Sequence, residues 1–355
     1  MISRYLTVLM MAGIILTPNL YGAQISPPVL GYVFDPSVSG LRPIWGVLGS
    51  SMVGAPLDTR GIRLSMAAVS PQQDYALGTG EHDNQILLLG LDQNPVTMVV
   101  LATSESAIER VVFSPMGKSV VLVPKDRQSL WLISGLPTSP RVLDRVGLSG
   151  FGGILGPLGV RDDARQVILT VKDENGDAVY AVDSKGEMHG LARLGKIAAV
   201  TYMRQGNDAL LADAGTSEIL RVREAGLRVE TLAMLPRGGE EIRPVALAIS
   251  DDSQRVFIAA EGRSQLYVLS LQNGQVSRVP FSGTATGLNR LNGNSVFRLN
   301  EVSDEPLLVL NGELTEPGVA FVPVPRKDTV PDGGLFLSPR GETRPVSVRE
   351  RRASQ

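Results

Sequence analysis

The sequence predicts an all-β protein and, within that class, a β-propeller of seven four-stranded blades. Three observations lead to this prediction: a repeat of about 44 residues, short hydrophobic runs bounded by Gly, Asp, Asn and Pro, and no long helical period after residue 23. A four-stranded propeller blade takes about 40–45 residues. A chain of 355 residues would usually form two domains, but closed β architectures grow by repetition around an axis.

The repeat consists of two β-rich runs joined by a polar turn. In six copies the first turn residue follows the preceding one by 42 to 47 residues, and these residues are Ser70, Ser114, Arg161, Arg204, Ser250 and Asn292. Each copy continues with a third and a fourth strand, so six blades cover about residues 66–324. The dipeptides Asn175-Gly176 and Asn273-Gly274 predict tight hairpins in which both central residues have positive φ.

The seventh blade requires strands from both ends of the chain. Residues 29–49 predict a further hairpin, which we expect to form the outer two strands of this blade and thus the seam of the ring. Its inner strands would come from Gly334–Ser338 and Pro345–Arg349. The alternative is a ring of six blades with an extra N-terminal hairpin. The single propeller domain is expected over 24–328, and 329–355 supplies closing strands or a partly disordered tail.

Residues 1–23 predict a signal peptide. Arg4 supplies the positive start, 6–16 form the apolar run, and the small residues Gly22 and Ala23 end the segment. The apolar run is shorter than the roughly 20 residues that cross a bilayer. We therefore expect a secreted or periplasmic monomer with no membrane span after removal of the signal. An uncleaved anchor is the alternative.

The composition narrows the classes of function. Lys and Arg number 34 against 36 Asp and Glu, a formal net charge of −2, which argues against a nucleic-acid partner. The absence of Cys excludes disulfides and thiolate zinc sites. Only His82 and His189 are present, so general bases and metal ligands are few. This composition favours a scaffold over a catalyst.

One face of a propeller carries both the loops between second and third strands and the loops between blades. We call it the loop face, and it is where binding residues are expected, because loops on a rigid scaffold commonly carry function. The candidate ligand-binding residues there are Glu81, His82, Asp83, Arg127 and Arg263. His82 lies between two carboxylates that could tune it as a general base, or it is an exposed, inert histidine.

Two further features concern metals and the channel. Asp173, Asn175 and Asp177 show the D-x-N-x-D spacing that can wrap Ca²⁺, although no bidentate Glu follows and a hairpin alone explains the sequence. No cofactor is expected, with Ca²⁺ as the alternative. Glu109 and Arg110 are the charged pair predicted nearest the central channel.

The turn motifs resemble those of a known group of propellers. The segments 114–118 (SPMGK) and 250–255 (SDDSQR) are close to an SPDG-K/R turn, and 266–279 matches a third-to-fourth-strand hairpin. On these motifs the chain resembles the bacterial YVTN, lactonase-like and TolB-like propellers of the WD-repeat-like superfamily over residues 29–324. The motifs specify turns and packing, so the resemblance implies a fold and transfers no activity.

The sequence favours an exported, non-catalytic binding or scaffold propeller that uses the loop face to hold a protein, a glycan or a small polar ligand. The rival hypothesis is a small-molecule hydrolase or lyase, lactonase-like, acting at the central channel. A third is a propeller module of a longer surface protein.

Overall fold

A computed structural model describes residues 27–93, 95–143, 145–148, 153–223, 228–236 and 242–325. These residues form strands and turns only, and those from Pro28 onwards make one compact unit. No helix among them is long and apolar enough to cross a membrane. The predicted signal peptide (1–23) and the C-terminal candidates Gly334–Ser338 and Pro345–Arg349 lie outside the described residues.

The strands form seven antiparallel sheets, numbered as blades 1 to 7 in chain order. Blade 1 contains β1 (Val29–Asp35), β2 (Gly40–Val47) and β3 (Ser50–Val53), and blade 2 contains β4 (Leu64–Val69), β5 (Tyr75–Gly80), β6 (Gln85–Gly90) and β7 (Thr97–Thr103). Blade 3 contains β8 (Ile108–Phe113), β9 (Ser119–Pro124), β10 (Ser129–Ser134), β11 (Arg141–Val142) and β12 (Val146–Gly147).

Blade 4 contains β13 (Ile154–Val160), β14 (Gln166–Asp173), β15 (Gly176–Asp183) and β16 (Met188–Leu194). Blade 5 contains β17 (Ile197–Tyr202), β18 (Ala209–Asp213), β19 (Glu218–Arg223) and β20 (Arg228–Met234). Blade 6 contains β21 (Pro244–Ile249), β22 (Arg255–Ala260), β23 (Gln265–Ser270) and β24 (Val276–Pro280). Blade 7 contains β25 (Asn289–Arg290), β26 (Val296–Arg298), β27 (Leu307–Asn311) and β28 (Gly318–Val322).

The strand order confirms the predicted seven-bladed β-propeller. Strands follow one another from the channel outwards in every sheet, and in blade 3 the outermost strand is split into β11 and β12, which both pair with β10. The second and third strands of blades 2 to 6 are almost fully buried, while the outermost strands are largely exposed. The core therefore lies between neighbouring blades, where apolar side chains of one sheet pack on those of the next.

The seam corrects the prediction for residues 29–49. β1 is the innermost strand of blade 1 and lines the channel, whereas we expected this segment to form an outer hairpin. In the described residues blade 1 has three strands, all from the N-terminal part of the chain. The turn that joins β1 to β2, 35–40 (DPSVSG), is a further copy of the inner turn that lies only 35 residues before Ser70. This spacing is shorter than the 42 to 47 residues of the other copies because the first sheet has three strands, so the turn was not recognised as a copy of the repeat.

Blade 7 closes the ring by packing against blade 1. The Asn292 N–H donates to the carbonyl of Leu30 at 2.9 Å, and the Val53 N–H donates to the carbonyl of Pro323 at 3.1 Å. Leu30 and Val33 share a buried apolar cluster with residues of β26 and β27. Non-polar packing and single hydrogen bonds thus join the two blades among the described residues.

The inner turns confirm the repeat and refine it. Their first residues are Ser70, Ser114, Arg161 and Ser250 as predicted, but Met203 and Leu291 take this role in blades 5 and 7, one residue earlier than predicted. The fourth residue of the turn has a left-handed backbone in five blades, at Gln73 (φ 59°), Gly117 (69°), Ala164 (57°), Gly206 (87°) and Ser253 (56°). A glycine suits this position because it has no Cβ.

The two predicted Asn-Gly hairpins exist with a different turn geometry. Gly176 and Gly274 have φ values of 107° and 71°, but Asn175 and Asn273 do not have positive φ. Asp173 pairs directly with Gly176, so Glu174 and Asn175 are the central residues of that hairpin. The glycine alone supplies the left-handed conformation that the prediction assigned to both residues.

Candidate functional site

The loop face holds two of the predicted ligand-binding residues in ion pairs. The Arg63 Nε donates to Glu81 Oε2 at 2.7 Å, and this hydrogen bond holds the pKa of Glu81 below its usual value. Arg127 binds Glu109 through two hydrogen bonds of 2.8 and 2.6 Å. The first pair lies in blade 2 and the second in blade 3. Each pair joins the start of its blade's innermost strand to the loop that follows the second strand.

The remaining loop-face candidates lie in the loops that follow the second strands of blades 2 and 6. His82 is exposed in the turn after β5, and Asp83 Oδ1 accepts a hydrogen bond from the Gln85 N–H at 3.1 Å. Arg263 lies half-buried in the corresponding loop of blade 6. Two blades separate it from blades 2 and 3 in either direction around the ring. Glu81, His82 and Asp83 are thus neighbours in blade 2, while Arg127 and Arg263 lie in blades 3 and 6, and ligand binding by these five residues stays a prediction.

Two of the three calcium candidates, Asp173 and Asn175, contact each other, and Asp177 binds elsewhere. Asp173 Oδ1 accepts the Asn175 N–H at 2.8 Å, and Asp173 also pairs with Arg193 at 2.7 Å. Asp177 is 3% exposed and accepts the Ile197 N–H at 2.7 Å. No group of three His, Asp or Glu residues close enough to hold a metal occurs in the part of the chain that the structure describes. Calcium binding stays a prediction.

The central channel forms a cavity of about 680 Å³, within the usual size range of small-molecule sites. The wall is formed by the innermost strands, and polar and apolar atoms contribute to its surface in roughly equal parts. Its charged lining residues are Arg110, Arg204, Arg290, Arg298 and Glu301. The wall is formed mainly by residues 32–34, 67–69, 110–113, 157–158, 198–202, 245–249 and 287–291.

Strand direction places these arginines at the two ends of the channel. β8 runs from the loop face to the inner turn, so Arg110, near its start, lies towards the loop face. Arg298 ends β26 and precedes the loop between β26 and β27, which places it at the same end. Arg290 ends β25, and Arg204 lies in the inner turn of blade 5, so both lie at the opposite end. We call that opposite side the turn face.

A polar network spans five blades at the turn-face end. Asp251 of blade 6 forms ion pairs with Arg204 of blade 5 and Arg290 of blade 7. Arg204 Nη2 also lies 3.0 Å from the sulfur of Met116 in blade 3, and Gln72 Nε2 of blade 2 lies 3.9 Å from the same sulfur. This network lies across the turn-face mouth and ties together residues up to 88 positions apart.

The loop-face end holds its two arginines differently. Arg298 is 8% exposed and forms hydrogen bonds of 2.6 and 3.1 Å with Glu301, whose side chain is 68% exposed. Arg110 donates from Nη1 to the carbonyl of Gly156 at 2.8 Å and from Nη2 to that of Leu155 at 3.4 Å. Burial is the main reason that the pKa of Arg110 is lowered. Burial likewise lowers the pKa of Arg204 and of Arg290.

Sequence reasoning identified only one of these channel arginines. Arg110 was predicted near the channel with Glu109, but Glu109 turns to Arg127, so the two do not act as a pair there. Arg204 was taken as a turn residue, and Arg290, Arg298 and Asp251 were not singled out. Arg204 and Arg290 each lie beside the first residue of an inner turn, and a strict alignment of the turns would have placed them at the channel mouth.

Comparisons with known proteins bear on the fold. No family model matches the chain, and no curated protein sequence matches it. Virginiamycin B lyase from Staphylococcus aureus aligns with 74% of this chain and 84% of its own length, at 13% identity and a TM-score of 0.52. A functionally unknown protein from Desulfotomaculum acetoxidans aligns with 84% of this chain and all of its own, at 11% identity and a TM-score of 0.57.

The β-propeller domain of Cps50 (Swd1) from Myceliophteria thermophila aligns with 84% of this chain and 98% of its own length, at 12% identity and a TM-score of 0.50. Identities of 11 to 13% carry no activity or partner across. The three structures confirm that the resemblance drawn from the turn motifs is one of fold: the chain is a β-propeller.

Proposed function

We propose that this chain is an exported, non-catalytic binding propeller that holds a small anionic ligand in its central channel. The observation that carries the proposal is the channel itself, whose charged lining residues among those described are four arginines and one carboxylate, Glu301. Small-molecule sites are concave and hold a few charged or polar groups that fix the ligand's orientation. Guanidinium groups supply hydrogen-bond donors and positive charge, which suit an acidic ligand.

The site favours binding over catalysis because of the state of its charged groups. An arginine stays protonated in a protein and cannot serve as a general base at neutral pH. Glu301 is engaged with Arg298. Both carboxylate oxygens of Glu301 accept hydrogen bonds from that guanidinium group. The rival hydrolase or lyase hypothesis predicts that the ligand is converted, and the binding proposal predicts that it is recovered unchanged.

Blocking the channel tests the proposal. Ala68 lines the channel, and Ala68→Trp would place a large ring in it. The matched control is Val99→Trp on an outer strand, where the side chain is already 55% exposed. We expect 8-anilinonaphthalene-1-sulfonate, an anion with an apolar body, to bind the wild type and Val99→Trp at one site and to lose that site in Ala68→Trp. Equal binding by all three proteins would overturn the proposal.

Export is part of the proposal and rests on residues 1–23. N-terminal sequencing of the product recovered from the periplasm or medium tests it directly. A mature protein that begins near Gln24 supports export with cleavage. A product found in the cytoplasm with Met1 intact contradicts it.

A further inference from the structure

The turn-face network directs three hydrogen-bond donors at one sulfur atom. Arg204 donates to Met116 Sδ from Nε at 3.3 Å and from Nη2 at 3.0 Å. Gln72 Nε2 lies 3.9 Å from the same sulfur. Arg204 belongs to blade 5, Met116 to blade 3 and Gln72 to blade 2, so the donors reach the sulfur across the channel mouth. A thioether sulfur is a weak acceptor and is therefore poorly matched to these donors.

The edge of Arg204 that meets the sulfur is the edge best suited to a carboxylate. Nε–H and one Nη–H point in parallel from a guanidinium group and match the two oxygens of a carboxylate. In Arg204 this Nε–Nη2 edge faces Met116, whereas Nη1 forms the ion pair with Asp251. Charge-assisted hydrogen bonds are roughly twice as strong as neutral ones, so a carboxylate is a much stronger acceptor for this edge than the sulfur.

A ligand in the channel can reach this edge because a flexible side chain covers it. Arg204 lines the channel, and 13% of its side chain is exposed. Met116 is half-buried in the inner turn of blade 3, next to the channel-lining residue Pro115. Methionine has three rotatable side-chain bonds and adapts readily to its surroundings. Rotation of the Met116 side chain away from the mouth would open the Nε–Nη2 edge while the backbone stays in place.

The charges around this edge favour a singly charged ligand. The carboxylate of Asp251 is held by both Arg204 and Arg290. Asp162 Oδ1 accepts the Met116 N–H at 2.9 Å, and the Asp162 carboxylate acts on Arg204 through space. Two arginines thus stand beside two carboxylates, and their formal charges cancel. The two carboxylates would repel a phosphate dianion more strongly than a carboxylate monoanion, because the Coulomb energy scales with the charge.

We infer that the Nε–Nη2 edge of Arg204 is the anion contact of the channel ligand, that this ligand is a small monocarboxylate, and that Met116 covers the contact in the free protein. The inference rests on the proposed function, because it names the ligand class and the anion contact for the same channel. Binding moves the Met116 side chain away from Arg204 and brings the carboxylate into its place. Gln72 supplies a further donor beside that place.

Calorimetric titration of the full chain with para-hydroxybenzoate, para-hydroxybenzamide and para-hydroxyphenylphosphonate tests the ligand class and the contact. Para-hydroxybenzoate should bind the wild type at least tenfold more tightly than the neutral amide or the phosphonate. Arg204→Lys keeps a positive charge beside Asp251 but lacks the two parallel donors, so it should bind para-hydroxybenzoate at least tenfold more weakly. Arg223→Lys is the matched control in the same blade, since Arg223 pairs with Glu230 outside the channel, and its affinity should stay within twofold.

Met116→Ala distinguishes ligand binding at Arg204 from a purely structural role of that arginine. The variant removes the sulfur that the ligand has to displace, so para-hydroxybenzoate should bind it at least threefold more tightly than the wild type. In a protein with isotope-labelled methionine methyl groups, the NMR resonance of Met116 should shift when para-hydroxybenzoate is added. The resonance of Met234, 55% exposed at the end of the outermost strand of blade 5, should stay in place.

The outcomes separate the two proposals. If neither the anilinonaphthalene sulfonate nor any of the three probes binds the wild type, the proposed channel function fails. If the sulfonate binds in the channel and none of the three probes does, the carboxylate class is wrong while channel binding stands. Equal or tighter binding of the amide or the phosphonate also overturns that class.

The contact itself has its own tests. If para-hydroxybenzoate binds but Arg204→Lys binds it equally, or Arg298→Lys at the loop-face end loses more affinity, the anion contact is not at Arg204. Unchanged or weaker binding by Met116→Ala refutes the role of Met116 as a cover. Should Arg204→Lys fail to fold, the affinity of Met116→Ala and the Met116 resonance decide.

Discussion

Replacement of Gln73 tests how the ring is held closed at its seam. Gln73 lies in the inner turn of blade 2 and is 6% exposed. Its Oε1 accepts the Tyr32 N–H of blade 1 at 2.7 Å, and its Nε2 donates to the carbonyl of Arg290 in blade 7 at 2.6 Å. A third hydrogen bond, from Nε2 to the carbonyl of Ser70, measures 3.2 Å. One side chain therefore connects three blades.

The structure allows the cost of Gln73→Ala to be calculated. The two short hydrogen bonds contribute about 1 kcal/mol each, and the partners left without hydrogen bonds add about 1 kcal/mol more. The unfavourable left-handed backbone is unchanged, because Ala164 already adopts it at the same turn position. A loss of about 3 kcal/mol, divided by an unfolding entropy of about 0.6 kcal/mol/K for about 300 residues, lowers Tm by about 5 °C.

Ser253→Ala is the matched control for this experiment. Ser253 occupies the same turn position in blade 6, with φ 56°, and its Oγ is buried without a hydrogen-bond partner among the described residues. Removing that hydroxyl should change the free energy of unfolding by less than about 0.5 kcal/mol. Scanning calorimetry of both variants decides the matter. If Gln73→Ala melts within about 1 °C of Ser253→Ala, which is about the error of a Tm measurement, Gln73 does not stabilise the seam.

Three further changes test the packing and electrostatics of the ring. In Gly31→Ala the new Cβ would lie 2.6 Å from Leu291 Cδ2, so urea denaturation should show a loss of about 1–3 kcal/mol, whereas Gly318→Ala, with open space around it, should lose less than about 1 kcal/mol. Asp251→Ala leaves Arg204 and Arg290 without their shared carboxylate and should lower the free energy of unfolding by about 2–3 kcal/mol. Glu230→Gln, which breaks an exposed ion pair, should lower it by less than about 1 kcal/mol. Similar losses in the two variants would contradict the network. Burial opposes ionisation of Asp213, but four backbone N–H donors outweigh it and hold the pKa of Asp213 below its usual value. The ionised Asp213 therefore stabilises the fold above about pH 4, and this stabilisation is lost as the pH falls through the lowered folded-state pKa. Asp213→Asn should make the free energy of unfolding depend less on pH in the acid range. An unchanged pH dependence would show that this carboxylate does not contribute.

The candidate site was only partly accessible from the sequence. Arg110 was predicted near the channel because it lies on the innermost strand of a recognised repeat, and that placement needs only strand order. The partnership of Arg204 and Arg290 through Asp251 could not be predicted, because the three residues come from different blades and meet only when the ring closes. The loop-face candidates were chosen by charge, but several of these charges are used in ion pairs within a blade.

The sequence by itself determined the blades, since strand alternation and inner turns depend on residues that are close along the chain. The hydrogen bond from Ser70 N to the Tyr75 carbonyl and its counterparts close within five residues, so their pattern is visible in the repeat. Only the tertiary structure decided the seam and the chemistry of the channel. β1 is an inner strand that contacts a blade about 260 residues away, as the hydrogen bond from Asn292 Nδ2 to the Val29 carbonyl illustrates. Gln73 likewise meets Arg290 across 217 residues, and such contacts depend on the blade number and on closure of the ring, which no local pattern records.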